Sequence, residues 1–336
     1  MEVDILKGIR VVLAEPKLSL RKEFLHELKS LGCTDIIETG NLADVYKAFE
    51  AGGVEVLIGD ATLPEGNLGD AVYDIRHGVL GDNPFVIAML LISGADVGLL
   101  EKVINSGVDD VQIKPIGGHD LRDRIVALSQ GRKRFVVTSN YIGPDRRRKG
   151  ELAPGSVEVP LIKVPNPLQM RISGRLGDMA TRRAISGAVT TVNEQRVERH
   201  AYSVNWLMQK IGKMQAGDLA VDSLNMKEQF DRLHDIAEDI SSRLDGTSYK
   251  HATELCLTLE KMSHALRNAP ELAGEEELHL LGRLTEVISR KCNGQYIDSY
   301  FSGESMDGPK AVPPPYDEIA LESAPAGDAI TNCTTD

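Results

Sequence analysis

The chain is poor in several residue types, and each shortage excludes a class of protein. Its four cysteines, Cys33, Cys256, Cys292 and Cys333, show no C-x-x-C spacing. A disulfide framework or a cysteine-built zinc site is therefore not expected, and a reducing compartment is. Long hydrophobic runs are missing too. The longest, Phe85–Ile92, falls far short of the roughly 20 apolar residues a membrane-spanning helix needs. Met-Glu-Val-Asp at the start carries no basic n-region, so a cytoplasmic protein without membrane insertion is expected. Positive charge is in deficit: 38 Lys and Arg against 50 Asp and Glu leave a net charge of −12, which argues against nucleic-acid binding. Neither a P-loop nor a Gly-rich dinucleotide turn follows any apolar run, so the chain is not expected to be an enzyme of those classes, and no helix-turn-helix pattern marks a DNA-binding output. Aromatic residues make up only 4% of 336 residues, so the cores must be largely aliphatic.

What is present is an alternation. Strand-like apolar runs occur at Ile9–Leu13, Ile36–Glu38, Val54–Gly59, Phe85–Leu91 and Asp110–Ile113. Helical spacing lies between them, as at Leu20, Phe24, Leu28 and Leu31 after a Ser19 N-cap, and at Val97, Leu100, Val103 and Ile104. Strand-then-helix repeats with continuous apolar strands predict a doubly wound, five-stranded parallel sheet covered on both faces, with right-handed crossovers. In such a sheet all strands end on one edge, and ligands bind in the crevice beyond it. Glu15, Asp60, Ser93 and Lys114 each follow an apolar run, so this topology gathers them into one polar pocket.

The segments that carry these residues are Val-Leu-Ala14-Glu15, Asp60-Ala-Thr62-Leu-Pro64-Glu-Gly66-Asn, Ile-Ser93-Gly-Ala and Ser-Gly107-Val-Asp-Asp-Val-Gln-Ile-Lys114-Pro115. In this order they resemble the receiver domain of two-component response regulators, over about Ile9–Ser129, roughly a third of the chain. The resemblance implies the flavodoxin-like α/β fold, with Asp60 accepting a phosphoryl group from a sensor histidine kinase or a histidine phosphotransfer protein. It implies a Mg²⁺ ion held by Glu15, Asp60 and the backbone carbonyl of Thr62. Lys114 would then steady the phosphoryl oxygens, aimed by a cis Lys114–Pro115 peptide, and a hydroxyl at the fourth strand end would close on the phosphate. Ser93 is the nearest hydroxyl, with Ile92 the other alignment. The sequence departs from the family at Ala14, where a second acid is usual, and at Val111 and Gln112, where an aromatic is usual. A flavin-binding relative of the same topology would need a Ser/Thr/Gly phosphate loop after strand one, and Ala14-Glu-Pro-Lys-Leu is not one.

The sequence divides into a receiver-like region at 1–130, a linker at 131–192, a helical bundle at 193–301 and an acidic tail at 302–336. The linker opens with seven bases against one acid between Gly131 and Lys149, and reads as a basic, partly extended connection or as a docking strip for an acidic partner or a phosphate. Four apolar stripes predict an antiparallel all-α bundle: Val197 to Met214, Phe230 to Leu244, Leu255 to Leu266 and Leu281 to Ile288. Phe230-Asp-Arg-Leu-His234-Asp-Ile-Ala237-Glu238-Asp resembles a histidine phosphotransfer domain, which would present His234 as an exposed phosphohistidine. Ala237 and Glu238 replace the family's helper lysine and glycine, which fits a degenerate interaction bundle with His234 on its surface. The tail, with Pro313-Pro-Pro-Tyr316 and a surplus of acids, reads as disordered. Two readings compete. One is a phosphorylation-regulated signalling protein whose helical module acts on a downstream protein partner. The other is a phosphorylation-independent pseudo-receiver that serves as a scaffold or forms a homodimer through Val197–Met214.

Overall fold

The computed structural model describes residues 4–94, 96–147, 160–175, 179–215, 223–270 and 273–292. The first unit runs β1 (Arg10–Ala14), α1 (Leu18–Ser30), β2 (Asp35–Thr39), α2 (Leu42–Glu50) and β3 (Val56–Asp60). A two-stranded hairpin, β4 (Thr62–Leu63) and β5 (Gly66–Asn67), precedes α3 (Leu68–Arg76), β6 (Ile87–Ser93), α4 (Val97–Asn105), β7 (Asp110–Lys114) and α5 (Gly118–Gln130). The five long strands pair in parallel in the order β2-β1-β3-β6-β7. Counted along the chain this is 2-1-3-4-5, the flavodoxin-like doubly wound sheet.

The alternation of side chains along the strands explains why helices cover both faces. On β3, Leu57 joins Val45, Val72 and Val103 of α2, α3 and α4, while Val56 and Ile58 join Phe24, Leu28 and Leu121 of α1 and α5. Polar caps start several helices: Asn41 accepts from the Asp44 N–H, Asn67 from Gly69 and Asp96 from Leu99. Helix α1 differs from expectation, starting at Leu18 with Lys17 rather than Ser19 at its N-cap. The Glu15 carboxylate, which accepts from the Lys17 N–H at 2.9 Å, turns the chain into the helix sooner. Strand β6 is displaced two residues from the predicted run, because Phe85 leaves the sheet to pack edge-on against Phe135.

The stretch 131–192 is not a plain linker. It contains the hairpin β8 (Phe135–Val137) and β9 (Ile142–Pro144), helix α6 (Pro167–Ile172) and the first turns of α7 (Met179–Gln215). Phe135, Val137, Ile142, Ile162 and Val164 make a small core with Phe85 of the sheet unit and with Ala188 and Val192 of α7. Three of the seven bases expected as a docking strip are committed internally, Lys133 and Arg134 are exposed, and Arg148 and Lys149 lie outside the described residues. Arg132 binds Asp109 at 2.7 Å, Arg146 donates to the Val108 carbonyl, and Arg147 pairs with Asp145. The hairpin also explains Gly107, whose φ of +87° suits glycine and whose added Cβ would fall on the Ile142 carbonyl. Gly107→Ala should destabilise the protein by more than about 1 kcal/mol, a loss readable as a lower urea midpoint at unchanged m-value.

Helix α7 spans about 55 Å at 1.5 Å per residue over its 37 residues. Its first part packs on the hairpin, and its later part, Val197 to Ile211, enters the core formed with α8 (Ser223–Arg243), α9 (Thr253–Asn268) and α10 (Glu275–Lys291). All four apolar stripes face that core, with Leu255, Met262 and Leu284 at its margin. The helical region therefore begins at Met179 rather than 193. Gly187, Thr190 and Thr191 are weak helix formers, and the contacts of Ala188 and Val192 with the hairpin hold this segment helical. No helix among the described residues is long and apolar enough to cross a membrane. The acidic tail at 302–336 and Cys333 lie outside the described residues.

Candidate functional site

Three of the strand-end residues meet at the C-terminal edge of the sheet. The Lys114 ammonium donates to Glu15 Oε2 at 2.6 Å and to Asp60 Oδ2 at 2.5 Å, across 99 and 54 residues of sequence. Glu15 follows β1, while Asp60 ends β3 and Lys114 ends β7; strand register alone brings them together. The remaining carboxylate oxygens are held by backbone: the Thr62 N–H donates to Asp60 Oδ1 at 2.8 Å and the Lys17 N–H to Glu15 Oε1. Burial is high, with Glu15 at 0% exposure and Asp60 at 5%. One cation shared by two buried carboxylates leaves one negative charge in a low-dielectric site, which draws a cation or a donor group.

The neighbouring positions are clear as well. Ser93 is the last residue of β6, opposite Lys114 in the β6–β7 register, and is exposed. Ile92 points the other way, into the core with Leu90 and Val111, so it has no place in the pocket. Thr62 sits in the small hairpin, paired with Asn67, with its backbone beside Asp60 and its side chain exposed. The Lys114–Pro115 peptide is cis.

The donor chemistry fits magnesium in one form only. Glu15, Asp60 and the Thr62 backbone offer hard oxygen atoms, and Mg²⁺ is content with one or two carboxylates when water and a phosphate complete its octahedron. Ala14 occupies the position of the second acid, and no group of three His, Cys, Asp or Glu suited to a metal occurs among the described residues. A magnesium ion on these three oxygen donors would therefore take water or phosphate oxygen in its remaining positions.

His234 is not on the surface. It is 8% exposed, its Nδ1 lies 3.3 Å from Ser263 Oγ, and its ring meets His264 edge-on at 5.2 Å. Its position shows why: 230, 233, 234 and 237 share one helical face, so His234 turns inward against α9 along with Phe230, Leu233 and Ala237. The exposed phosphohistidine and the surface histidine are both corrected by this burial. His251, His264 and His279 are exposed.

Two polar clusters escaped the sequence reading. Behind the sheet, at its opposite edge, Asp109 accepts from Arg132 at 2.7 Å and Arg76 at 2.9 Å, all three buried, with both guanidiniums within 5.3 Å of the Phe135 ring centre. Farther along, His77 after α3 meets Arg196 of α7 and Arg243 of α8. The only signal for the first was an acidic doublet, Asp109-Asp110, ahead of an apolar strand. The second has none, because its members are 119 residues apart.

No family profile matches this sequence. No curated protein matches it either. Among solved structures, the chain is similar to a receiver domain protein (CheY-like) from Methanospirillum hungatei, at 14% identity over 35% of this chain and 91% of that one, with a TM-score of 0.32. The receiver domain of the putative response regulator NarL from Mycobacterium tuberculosis matches at 15% identity over 38% and 99%, with a TM-score of 0.33. A complex of the histidine phosphotransfer protein Ypd1 with the receiver domain of Ssk1, from Saccharomyces cerevisiae, matches at 20% identity over 35% and 86%, with a TM-score of 0.32.

Proposed function

We propose that the protein is a response regulator in two-component signalling, accepting a phosphoryl group on Asp60 and passing the change to its helical module, which binds a downstream protein. The observation that carries this reading is the convergence of Glu15, Asp60 and Lys114 at one sheet edge within 2.6 Å contacts. In the proposed step an Asp60 carboxylate oxygen attacks the phosphorus of a phosphohistidine. The new P–O bond forms as the P–N bond breaks, and the imidazole leaves with the electron pair. Lys114 lies where its ammonium can turn from the carboxylates to the phosphoryl oxygens, supplying the charge stabilisation on which phosphoryl transfer chiefly depends. Magnesium, held by Glu15, Asp60 and the Thr62 carbonyl, would supply charge neutralisation between carboxylate and phosphate. The hydroxyl of exposed Ser93, which lies opposite Lys114 in the strand register, would bond the phosphorylated group and draw its loop inward. The donor would be a sensor histidine kinase or phosphotransfer protein, and the chain would act as acceptor rather than as an enzyme with turnover.

The test is intact mass after incubation with a small acyl phosphate. Wild type should gain one phosphoryl adduct with Mg²⁺ and none with EDTA, and Asp60→Asn should gain none. Glu15→Gln should need more Mg²⁺ for the same yield. A labelled Asp60→Asn protein would show that the acceptor is elsewhere.

The alternative, a pseudo-receiver scaffold, is favoured by one feature: every carboxylate oxygen of Glu15 and Asp60 already has a protein partner. Failure of the wild type to label, under conditions that label a control receiver, would select that reading.

A further inference from the structure

The receiver-fold unit docks on the helices at the sheet edge opposite Asp60. His77 follows the C-terminus of α3, and its ring stacks on Tyr73 at 3.7 Å between centroids. Its Nδ1 lies 2.8 Å from the Tyr73 carbonyl, and its Nε2 lies 2.9 Å from Arg196 Nη1 on α7. A carbonyl only accepts and a guanidinium only donates, so both protonation sites are determined. Nδ1 carries the proton, and Nε2 must be bare to accept from Arg196. The docked imidazole is therefore neutral by geometry, in one tautomer.

Its surroundings enforce this. Arg243 of α8 donates to the His77 carbonyl at 3.2 Å. Asp239 of α8 is shared by Arg196 at 2.7 Å, His200 at 2.8 Å and Arg243 at 2.9 Å, so its charge is spoken for. Tyr73, Arg196, Asp239 and Arg243 are thus the titratable and charged groups facing His77 from α3, α7 and α8, with His200 on Asp239. A proton on Nε2 would point an N–H at the Arg196 fork and bury a further cation beside two guanidiniums.

We propose that docking of the receiver-fold unit onto α7 and α8 is proton-linked through His77, so that acid loosens the joint between the two units. The inference is independent of whether Asp60 accepts phosphate. Burial first, then Arg196, pushes the His77 imidazole from 6.5 down to about 3 in the docked form. The sign follows from linkage: a group whose neutral form is favoured in the docked state contributes fully above the free value, 6.5, and loses that contribution as pH falls toward 3. Between those limits docking weakens about tenfold per pH unit, or roughly 25-fold from pH 7 to pH 5.

Two measurements on the full chain test this. In a pH titration of ¹⁵N-histidine-labelled protein, His77 should remain the neutral Nδ1–H tautomer at pH 5 while the exposed histidines protonate. Hydrogen exchange of the segment carrying His77 and of α7 from Arg196 to Ser203, corrected for intrinsic rate, reports the minor undocked population. In wild type it should quicken roughly 25-fold between pH 7 and pH 5. In His77→Gln, whose amide accepts from Arg196 at any pH, it should not. Protonation of His77 near its free value with protection retained would overturn the proposal. So would protection independent of pH in wild type. The same acceleration in His77→Gln would also overturn it, moving the proton to His200.

Discussion

Lys114→Met should lower the unfolding free energy of the α/β unit by about 3–5 kcal/mol and, under the proposed function, abolish phosphoryl uptake. The first effect comes from burial. Lys114 pairs both Glu15 and Asp60, and the carboxylates it serves are 0% and 8% exposed at the side chain. Removing one partner from such a group strands the others in a medium that solvates them poorly, which costs more than the ion pair itself contributes. The second effect follows from losing the ammonium that would steady the transferred group. Urea unfolding and intact mass separate the two. Adding Glu15→Gln to Lys114→Met removes one stranded charge and should restore part of the stability without restoring uptake. If Lys114→Met is as stable as wild type, the site is more hydrated than its burial indicates.

Asp109→Ala should cost a similar amount, about 3–5 kcal/mol, and should loosen the β8–β9 hairpin in particular. Asp109 is fully enclosed between Arg76 and Arg132, and also accepts from the Ala88 N–H at 2.9 Å. Both arginines hold further carbonyls. Arg76 donates to Gly107, Pro84 and Val86, and Arg132 to Phe85, Val86 and Pro165. Without the carboxylate two guanidiniums remain buried side by side under Phe135. Hydrogen exchange over 135–144 should rise more than exchange in β1 and β3, which the cluster does not touch. Burial pushes the Asp109 carboxyl up, but Arg132 and Arg76 more than reverse it and hold it below 3.8. Its stabilisation is therefore complete above that value and is lost as pH falls through the depressed one. A hairpin equally protected in Asp109→Ala would mean that the apolar contacts of Phe135 alone hold it.

The helices attach far from the pocket of Glu15, Asp60 and Lys114. Glu15, Asp60, Ser93 and Lys114 stand at the C-terminal ends of their strands, whereas His77, Phe85 and Asp109 precede β6 or β7 at the opposite edge. Under the proposed function, a change at Asp60 would have to cross the sheet layer to reach α7. On that far side, Arg76 of α3 bonds the Gly107 carbonyl, Gly107 abuts Ile142 of the hairpin, and the hairpin packs on Ala188 and Val192 of α7.

The parts legible in the sequence are those whose code is local or periodic. Apolar runs ending in Asp60 and Lys114 were enough to place both residues at one edge, because a parallel sheet admits no other arrangement of its strand ends. The stripes of α8 and α9 were readable in the same way, and that same period already placed His234 inward. The family resemblance of its flanks drew attention to an exposed histidine that the helix does not present. The strand boundaries at Phe85 and the helix start at Leu18 shifted where a distant aromatic or a preceding carboxylate outweighed local preference.

By itself, then, the sequence determined the alternating α/β unit, the identity of its polar edge and the helical character of the C-terminal region, since period and strand-end position are properties of short segments. Tertiary structure alone decided that Arg132 is buried rather than free, that α7 begins at Met179, and that His77 is held neutral against Arg196. Those outcomes depend on partners 23 to 119 residues away and, for His77, on burial that exists only once the sheet unit and the helices have closed on each other.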